Sequence, residues 1–339
     1  MRSLQCGGLA DGRSGPAPVE PPLLCHLRQA TPPLAATAGK SFAGNDNRMY
    51  LRRVDFSIVT PSFRNSNWLK LCIASVADQQ GVSVEHIVQD AGSDDGTLDW
   101  LTHDQRVRVY VEKDDGMYDA VNRGFRRSTG ELVAYLNCDE QYLPGALLAV
   151  RDFFRTRPEV DVVFSHTIVI NADGSYNCHR KAILPLQSHV WHRLPVITCS
   201  LFLRRSVLDK RGIYLDTRWR DVADFFWVME MFRHKVPMAV LRQFTSVFTE
   251  TGENMNLKPN ARRESQIKME MAPRWVRTLA PAIVFHHHLR CLAGGFYSQK
   301  PFTYSIYTLA DPDHRTAFHI QKPTALWKRP GPAPATATP

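Results

Sequence analysis

Asn137-Cys138-Asp139-Glu140 follows a stretch that reads as a strand, 131–136, and sets two carboxylates and an amide at its end. Hard cations such as Mg²⁺ and Mn²⁺ take oxygen ligands, usually one or two carboxylates with phosphate and water completing the shell. Holding a diphosphate through such a cation is one chemistry that this cluster fits. Capping the helix that starts near Pro144 is another, and the four residues alone do not separate the two. A second acidic stretch, Gln89-Asp90-Ala91-Gly92-Ser93-Asp94-Asp95-Gly96-Thr97, reads as a small turn. Its glycines let backbone approach a ligand, and Asp90 can accept hydrogen bonds from a base or ribose. A third, Asp114-Asp115-Gly116-Met117-Tyr118-Asp119-Ala120-Val121-Asn122-Arg123-Gly124, opens on an Asp-Gly turn. Asp119, Asn122 and Arg123 then share one helical face, a pattern that any solvated helix also shows.

The elements that must position these groups alternate. Strand-like runs at 56–60, 84–89, 107–111 and 131–136 are separated by helical spacings at 68–77, 97–101 and 117–128, with a further helix at 144–154. Units of this size predict an α/β domain with a largely parallel sheet, whose ligands bind beyond the carboxyl ends of the strands. Asp90, Asp114, Asp115 and Asp139 all fall just after successive strands. Further on, short strands are expected at 162–164 and 167–170, a hairpin turn at Asn171-Ala172-Asp173-Gly174, and an apolar helix over 221–232 with Asp224 inside it. The Gly, Pro, Ala and Ser mixture of 1–48 and the Pro, Ala and Thr alternation of 326–339 predict disorder at both ends. Between them the expected organisation is a catalytic-type domain over 54–255 and a helical C-terminal region over 256–325.

Taken in order, the three acidic stretches resemble the inverting family 2 glycosyltransferases of the GT-A fold, over roughly 56–252 and most strongly over 56–140. Asp90, Gly92, Ser93, Asp95, Gly96 and Thr97 match a turn of the type D-x-G-S-x-D-G-T. Asp114, Gly116, Met117, Tyr118, Asp119, Ala120, Asn122 and Gly124 match D-x-G-[IM]-Y-D-A-x-N-x-G, which a subgroup carries. Leu136, Asn137, Asp139 and Glu140 stand on the metal motif, with Asn137 and Glu140 each replacing an Asp of many members. The resemblance implies a GT-A-like (Rossmann-like) mixed, mostly parallel sheet flanked by helices. It implies that Pro61 and Phe63 flank the nucleobase, that Asp90 contacts it, and that Gly92, Ser93, Asp115, Asp119, Asn122 and Asn137 serve the nucleotide-sugar site. Asp139 and Glu140 are then the metal groups, for Mn²⁺ or Mg²⁺, and the expected co-substrate is a nucleotide-sugar, UDP-based. The family's later A-D-[YF] motif falls on Ala223-Asp224-Phe225, making Asp224 the implied general base and Asp221 its substitute. Flanking Ala, Phe and Trp residues should desolvate Asp224 and raise its pKa. Thr251-Gly252-Glu253-Asn254 resembles the family's late turn near the acceptor.

The formal net charge of +9 suits nucleic acid, an anionic membrane or a phosphate-bearing substrate. Basic residues are spread along the chain without an RNA-binding aromatic signature or a zinc finger, which disfavours nucleic acid. The seven cysteines are scattered with no C-x-x-C pair, so a reducing cytoplasm is expected. No apolar h-region opens the first 30 residues, and no run of about 18 apolar residues occurs. Expected partners are therefore a nucleotide-sugar donor, a glycan or lipid-linked acceptor, and a peripheral contact with the inner membrane face. The aromatic and basic stretch 275–307 would lie on that membrane or pack as a helical lid. His286-His287-His288 point in different directions on a helix, so they read as a solvated or interfacial patch. Two other classes remain. A nucleotidyltransferase would carry a Gly-rich basic loop where Thr60-Pro61-Ser62-Phe63-Arg64 stands, and a non-catalytic sugar-nucleotide or glycan-binding protein would tolerate Asn137 and Glu140.

Overall fold

The computed structural model describes residues 54–252, 254 and 259–328. Its first half is the expected alternation: β1 (Phe56–Ser62), α1 (Ser66–Ala77), β2 (Val84–Asp90), α2 (Thr97–Leu101), β3 (Arg108–Val111), α3 (Met117–Arg127) and β4 (Leu132–Tyr135). Every residue of β1 is buried, as a strand covered on both faces requires. β3, β2, β1 and β4 are neighbours in that order and all parallel. The register pairs Ser62 with Asp90, and Asp90 with Val111, so the carboxyl ends of the strands share one edge. Helix α3 lies close on this sheet because Gly124 meets Val59 without a side chain. Gly130 passes the start of β1 so closely that a Cβ would lie 2.5 Å from the Ser57 nitrogen.

The second half is β5 (Gln141–Tyr142), α4 (Ala146–Thr156), β6 (Val162–Asn171), β7 (Tyr176–Arg180), α5 (Gln187–Val190), β8 (Leu201–Arg204), α6 (Ser206–Asp209), α7 (Ala223–Arg233) and β9 (Met238–Glu250). It continues the same sheet in the order β4-β8-β6-β9-β5, with β7 added on β6. β8 runs antiparallel to both β4 and β6, while β6 and β9 are parallel, so the sheet is mixed. The two short strands expected at 162–170 are one ten-residue strand. The thirteen-residue β9 was not expected at all. Arg242 and Gln243 interrupt its apolar pattern, and there the partner register jumps from Ser165–Leu241 to His166–Phe244, a bulge that hides the strand from a period-2 reading.

The C-terminal region is helical through α8 (Pro259–Met271), α9 (Arg274–Thr278) and α10 (Ala280–Ala293), and then becomes a hairpin of β10 (Phe302–Ile306) and β11 (Thr316–Ile320). The helical expectation for 256–325 thus fails beyond Ala293. Tyr304 and Ile306 of the hairpin share an apolar cluster with Ile168, Ile170 and Val247. Arg315 adds an ion pair to Asp78 at 2.5 Å. The 54–255 and 256–325 segments therefore share a core. Residues 1–48 and 329–339 lie outside the described residues. Within the tail expected to be disordered, Trp327 is packed edge-on to Phe248 at 5.6 Å, and Lys328 is bonded through its backbone to Asn177.

Candidate active site

A cleft of about 1090 Å³ opens along the carboxyl edge of β1–β4. Pro61 and Ser62 close β1 there, Ala91 follows β2, residues 113–116 follow β3, and Asn137, Cys138 and Asp139 follow β4. Phe63 stands at the wall, 52% exposed, a free aromatic face for a planar ring. Asp90 is fully buried below this edge and does not line the cleft. Its Oδ1 accepts from the Gly92 and Ser93 amides at 2.9 and 2.7 Å, and its Oδ2 from the Ser93 hydroxyl at 2.8 Å. Ser93 Oγ in turn accepts from the Arg64 amide at 2.8 Å, tying the first two loops together. Gly92, at φ +91°, occupies a conformation that this turn demands and a side chain resists. Asp90, Gly92 and Ser93 thereby shape the loops behind Phe63.

The third motif divides. Asp114, Asp115, Gly116, Met117 and Tyr118 line the cleft. Burial raises the Asp114 carboxyl above its ordinary value, against the Gly116 amide that donates to it at 2.9 Å. Asp119 does not reach the cleft and pairs with Arg123 at 2.7 Å. Asn122 is buried away from it, donating to the Leu215 carbonyl at 2.8 Å and accepting from the Leu215 amide at 3.1 Å. Both of its amide functions clamp α3 to the 213–216 segment.

At the β4 end, Asp139 lines the cleft and Glu140 lies beneath the loop, 1% exposed. Glu140 Oε2 accepts from the Asn137 amide at 2.8 Å, while its Oε1 and the Asn137 Oδ1 are buried without partners. Burial raises both carboxyls, and the neighbouring acid adds repulsion, Glu250 toward Asp139 and Asp139 toward Glu140. Glu250, at the end of β9, was not singled out in the sequence. Its Oε2 accepts from the Trp327 indole at 2.8 Å and its Oε1 is buried and unpartnered. Buried oxygens of Asn137, Glu140 and Glu250 are left without partners, and Asp139, in the cleft, has the oxygen ligands that suit a hard cation. Among the described residues no three His, Cys, Asp or Glu side chains converge as a cation site. A cation here would bind Asp139 and draw its other ligands from phosphate and water.

Asp221 and Asp224 both reach the cleft from the start of α7. Burial raises the Asp224 carboxyl, as its apolar neighbours predict, while the Phe225 amide at 2.7 Å and the Lys268 ammonium pull it down. The phenols of Tyr118 and Tyr135 share this environment, and Asp224 adds to the rise in both their pKa values after burial. Asp221 Oδ2 accepts from Asn260 at 2.5 Å. The loop ahead of α7 is held by Glu264, which accepts from the Arg220, Asp221 and Val222 amides at 3.0, 2.8 and 3.2 Å. Arg180, Thr251, Asn254 and Trp327 complete the wall. Glu253 of the expected late turn lies outside the described residues. Trp327 had no local signal, because its contacts come from residues far away in the chain.

Residues 57–212 match the model of the family described as Glycosyl transferase family 2. A PGL/p-HBAD biosynthesis glycosyltransferase of Mycobacterium bovis is 27% identical over 208 residues, covering 58% of this chain and 77% of that protein. A putative teichuronic acid biosynthesis glycosyltransferase of Bacillus subtilis is 32% identical over 106 residues, 30% of this chain and 42% of the relative. Among solved structures, Staphylococcus aureus TarS 1–349 in complex with UDP-GlcNAc superposes with a TM-score of 0.50 at 16% identity, covering 71% of this chain and 73% of that one. That likeness is one of fold, and it agrees with the mixed sheet described above. Residues 57–212 are thus similar to glycosyl transferase family 2, and they are set in a fold of the GT-A type.

Proposed function

We propose that this protein transfers a sugar from a nucleotide diphosphate, UDP-based, to a hydroxyl of a glycan or lipid-linked acceptor with inversion at the anomeric carbon. The observation that carries the reading is that Asp139, from the end of β4, and a desolvated Asp224, from the start of α7, line one cleft on the carboxyl edge of the sheet. Pro61 and Phe63 offer the base a flat apolar wall, and the loops ordered by Asp90 set its position. Asp139 would hold a Mn²⁺ or Mg²⁺ ion, with phosphate and water completing its shell, which when bound neutralises the charge of the diphosphate. Asp224 takes the proton from the acceptor hydroxyl as its oxygen attacks the anomeric carbon and the bond to the diphosphate breaks. A carboxyl raised by burial is a stronger base than an ordinary surface Asp. Five described cysteines, Cys72, Cys138, Cys178, Cys199 and Cys291, are free thiols, which supports a cytoplasmic site of action.

Calorimetry with UDP and Mn²⁺, followed by hydrolysis assays on a panel of UDP- and GDP-sugars, tests the reading. UDP binding that disappears in EDTA, with turnover of one donor, is the expected result. Binding with no turnover of any donor, even with acceptors supplied, would favour the non-catalytic reading, which Asn137 in the motif and Glu140 below the cleft keep open.

A further inference from the structure

The solvent side of α10 is largely apolar, with the exposed His286 and His288 beside the apolar residues. Ile283, His287 and Cys291 recur at four-residue spacing and are buried, so the opposite face presents Pro281, Ala282, Phe285, Leu289 and Leu292, all exposed. Phe285 is 64% and Leu292 67% exposed, where a surface helix ordinarily turns such a stripe inward. On α9 and just after it, Trp275 and Leu279 add to the patch at 55% and 51% exposure. No Asp or Glu occurs from 271 to 310, whereas Arg274, Arg277, Arg290 and Lys300 do. Arg274 and Arg277 are exposed beside the apolar residues.

We propose that this α9–α10 face docks on an anionic phospholipid surface. Apolar side chains enter the acyl boundary while the flanking arginines meet the headgroup phosphates, and the lack of acids removes any repulsion from the same charge. The fourteen residues of α10 span about 21 Å, short of a hydrocarbon core of about 30 Å. Among the described residues no helix is long and apolar enough to cross a membrane. The helix therefore lies in the interface. The same helix is tied to a segment that leads into the cleft wall. Arg290 donates to the Leu184 carbonyl at 2.7 Å, and the chain leading to Leu184 carries Arg180 and Ala182 into the cleft wall. Leu184 and Leu186 are exposed along that link. The proposal stands on this surface and not on the donor reading, which UDP calorimetry scores separately.

The test is flotation of the full-length protein with phosphatidylglycerol vesicles and with phosphatidylcholine vesicles. The expected result is binding to phosphatidylglycerol, weakened by salt, and little binding to phosphatidylcholine. Phe285→Asp with Leu289→Asp lowers the affinity about tenfold or more, as does Arg274→Gln with Arg277→Gln, with circular dichroism unchanged. The proposal is overturned if the native chain does not float, or if both double variants float as well as it does. It is equally overturned if Phe285→Asp with Leu289→Asp turns a native dimer into a monomer and no vesicle is bound, since a second copy would then cover the face.

Discussion

Asp224 sits in the first turn of α7 with its carboxyl raised by burial and restrained by Lys268. As the base it must be ionised, so kcat/KM falls as pH drops through its raised pKa, at a higher pH than an ordinary Asp would give. Asp224→Asn should lower kcat by roughly 10²–10⁴-fold and leave UDP binding near the native value. Asp221→Asn should cost far less, and equal losses in the two variants would move the base to Asp221. Glu140 makes a different claim. Its carboxyl is raised above the unfolded-chain value by burial and by Asp139, and that of Asp139 by burial and by Glu250. The folded state thus holds these protons more tightly, and their contribution to stability is full below the unfolded values and lost as pH rises through the folded ones. Glu140→Gln removes the buried charge and keeps an acceptor for the Asn137 amide. In EDTA at alkaline pH it should raise the unfolding free energy by about 1–2 kcal/mol, with little effect at acid pH. Urea titrations at both pH values check it.

At the scale of elements, the edge cleft depends on α3 being held between the sheet and the 213–216 segment. Asn122 makes both bonds of that clamp from a buried position. Asn122→Ala leaves the Leu215 amide and carbonyl unpaired and should cost about 1–3 kcal/mol in thermal or urea unfolding, before any loss of activity at permissive temperature. A variant with native stability and lost UDP binding would show instead that Asn122 touches the substrate. The same motif thus contains groups with separate tasks. Asp114 and Asp115 reach the cleft, Asp119 pairs with Arg123 on its own helix, and Asn122 braces the fold. Spacing placed all of them on one short stretch. Which face of α3 meets the cleft was settled by its packing on Val59 through Gly124.

At the scale of the molecule, the last described residues return to the cleft. Trp327 donates to Glu250 and lies within cation–π reach of Arg180, 5.8 Å from the ring. Trp327→Ala should weaken substrate binding by about 1 kcal/mol and leave the melting temperature within a few degrees of native. Calorimetry and a thermal melt separate the two effects. A large loss of stability with unchanged binding would make the tryptophan a packing residue alone.

The strand and helix alternation from Phe56 to Tyr135, the acids after the strands and the helix bearing Asp224 were legible in the sequence, because each is a local pattern of period, turn chemistry and spacing. β9 was not legible, since its bulge at Arg242 and Gln243 breaks the period that would reveal it. The β10–β11 hairpin was read as helix because its apolar cluster is shared with β6 and β9, far away in the chain. Burial separated Asp139 in the cleft from Glu140 beneath it, and only the folded sheet brings Glu250, Arg180 and Trp327 to the same place. Residue type and local spacing determined which chemistry this chain can perform. Tertiary packing decided which carboxylates face the cleft, because burial and long-range partners are properties of the fold and not of neighbouring residues.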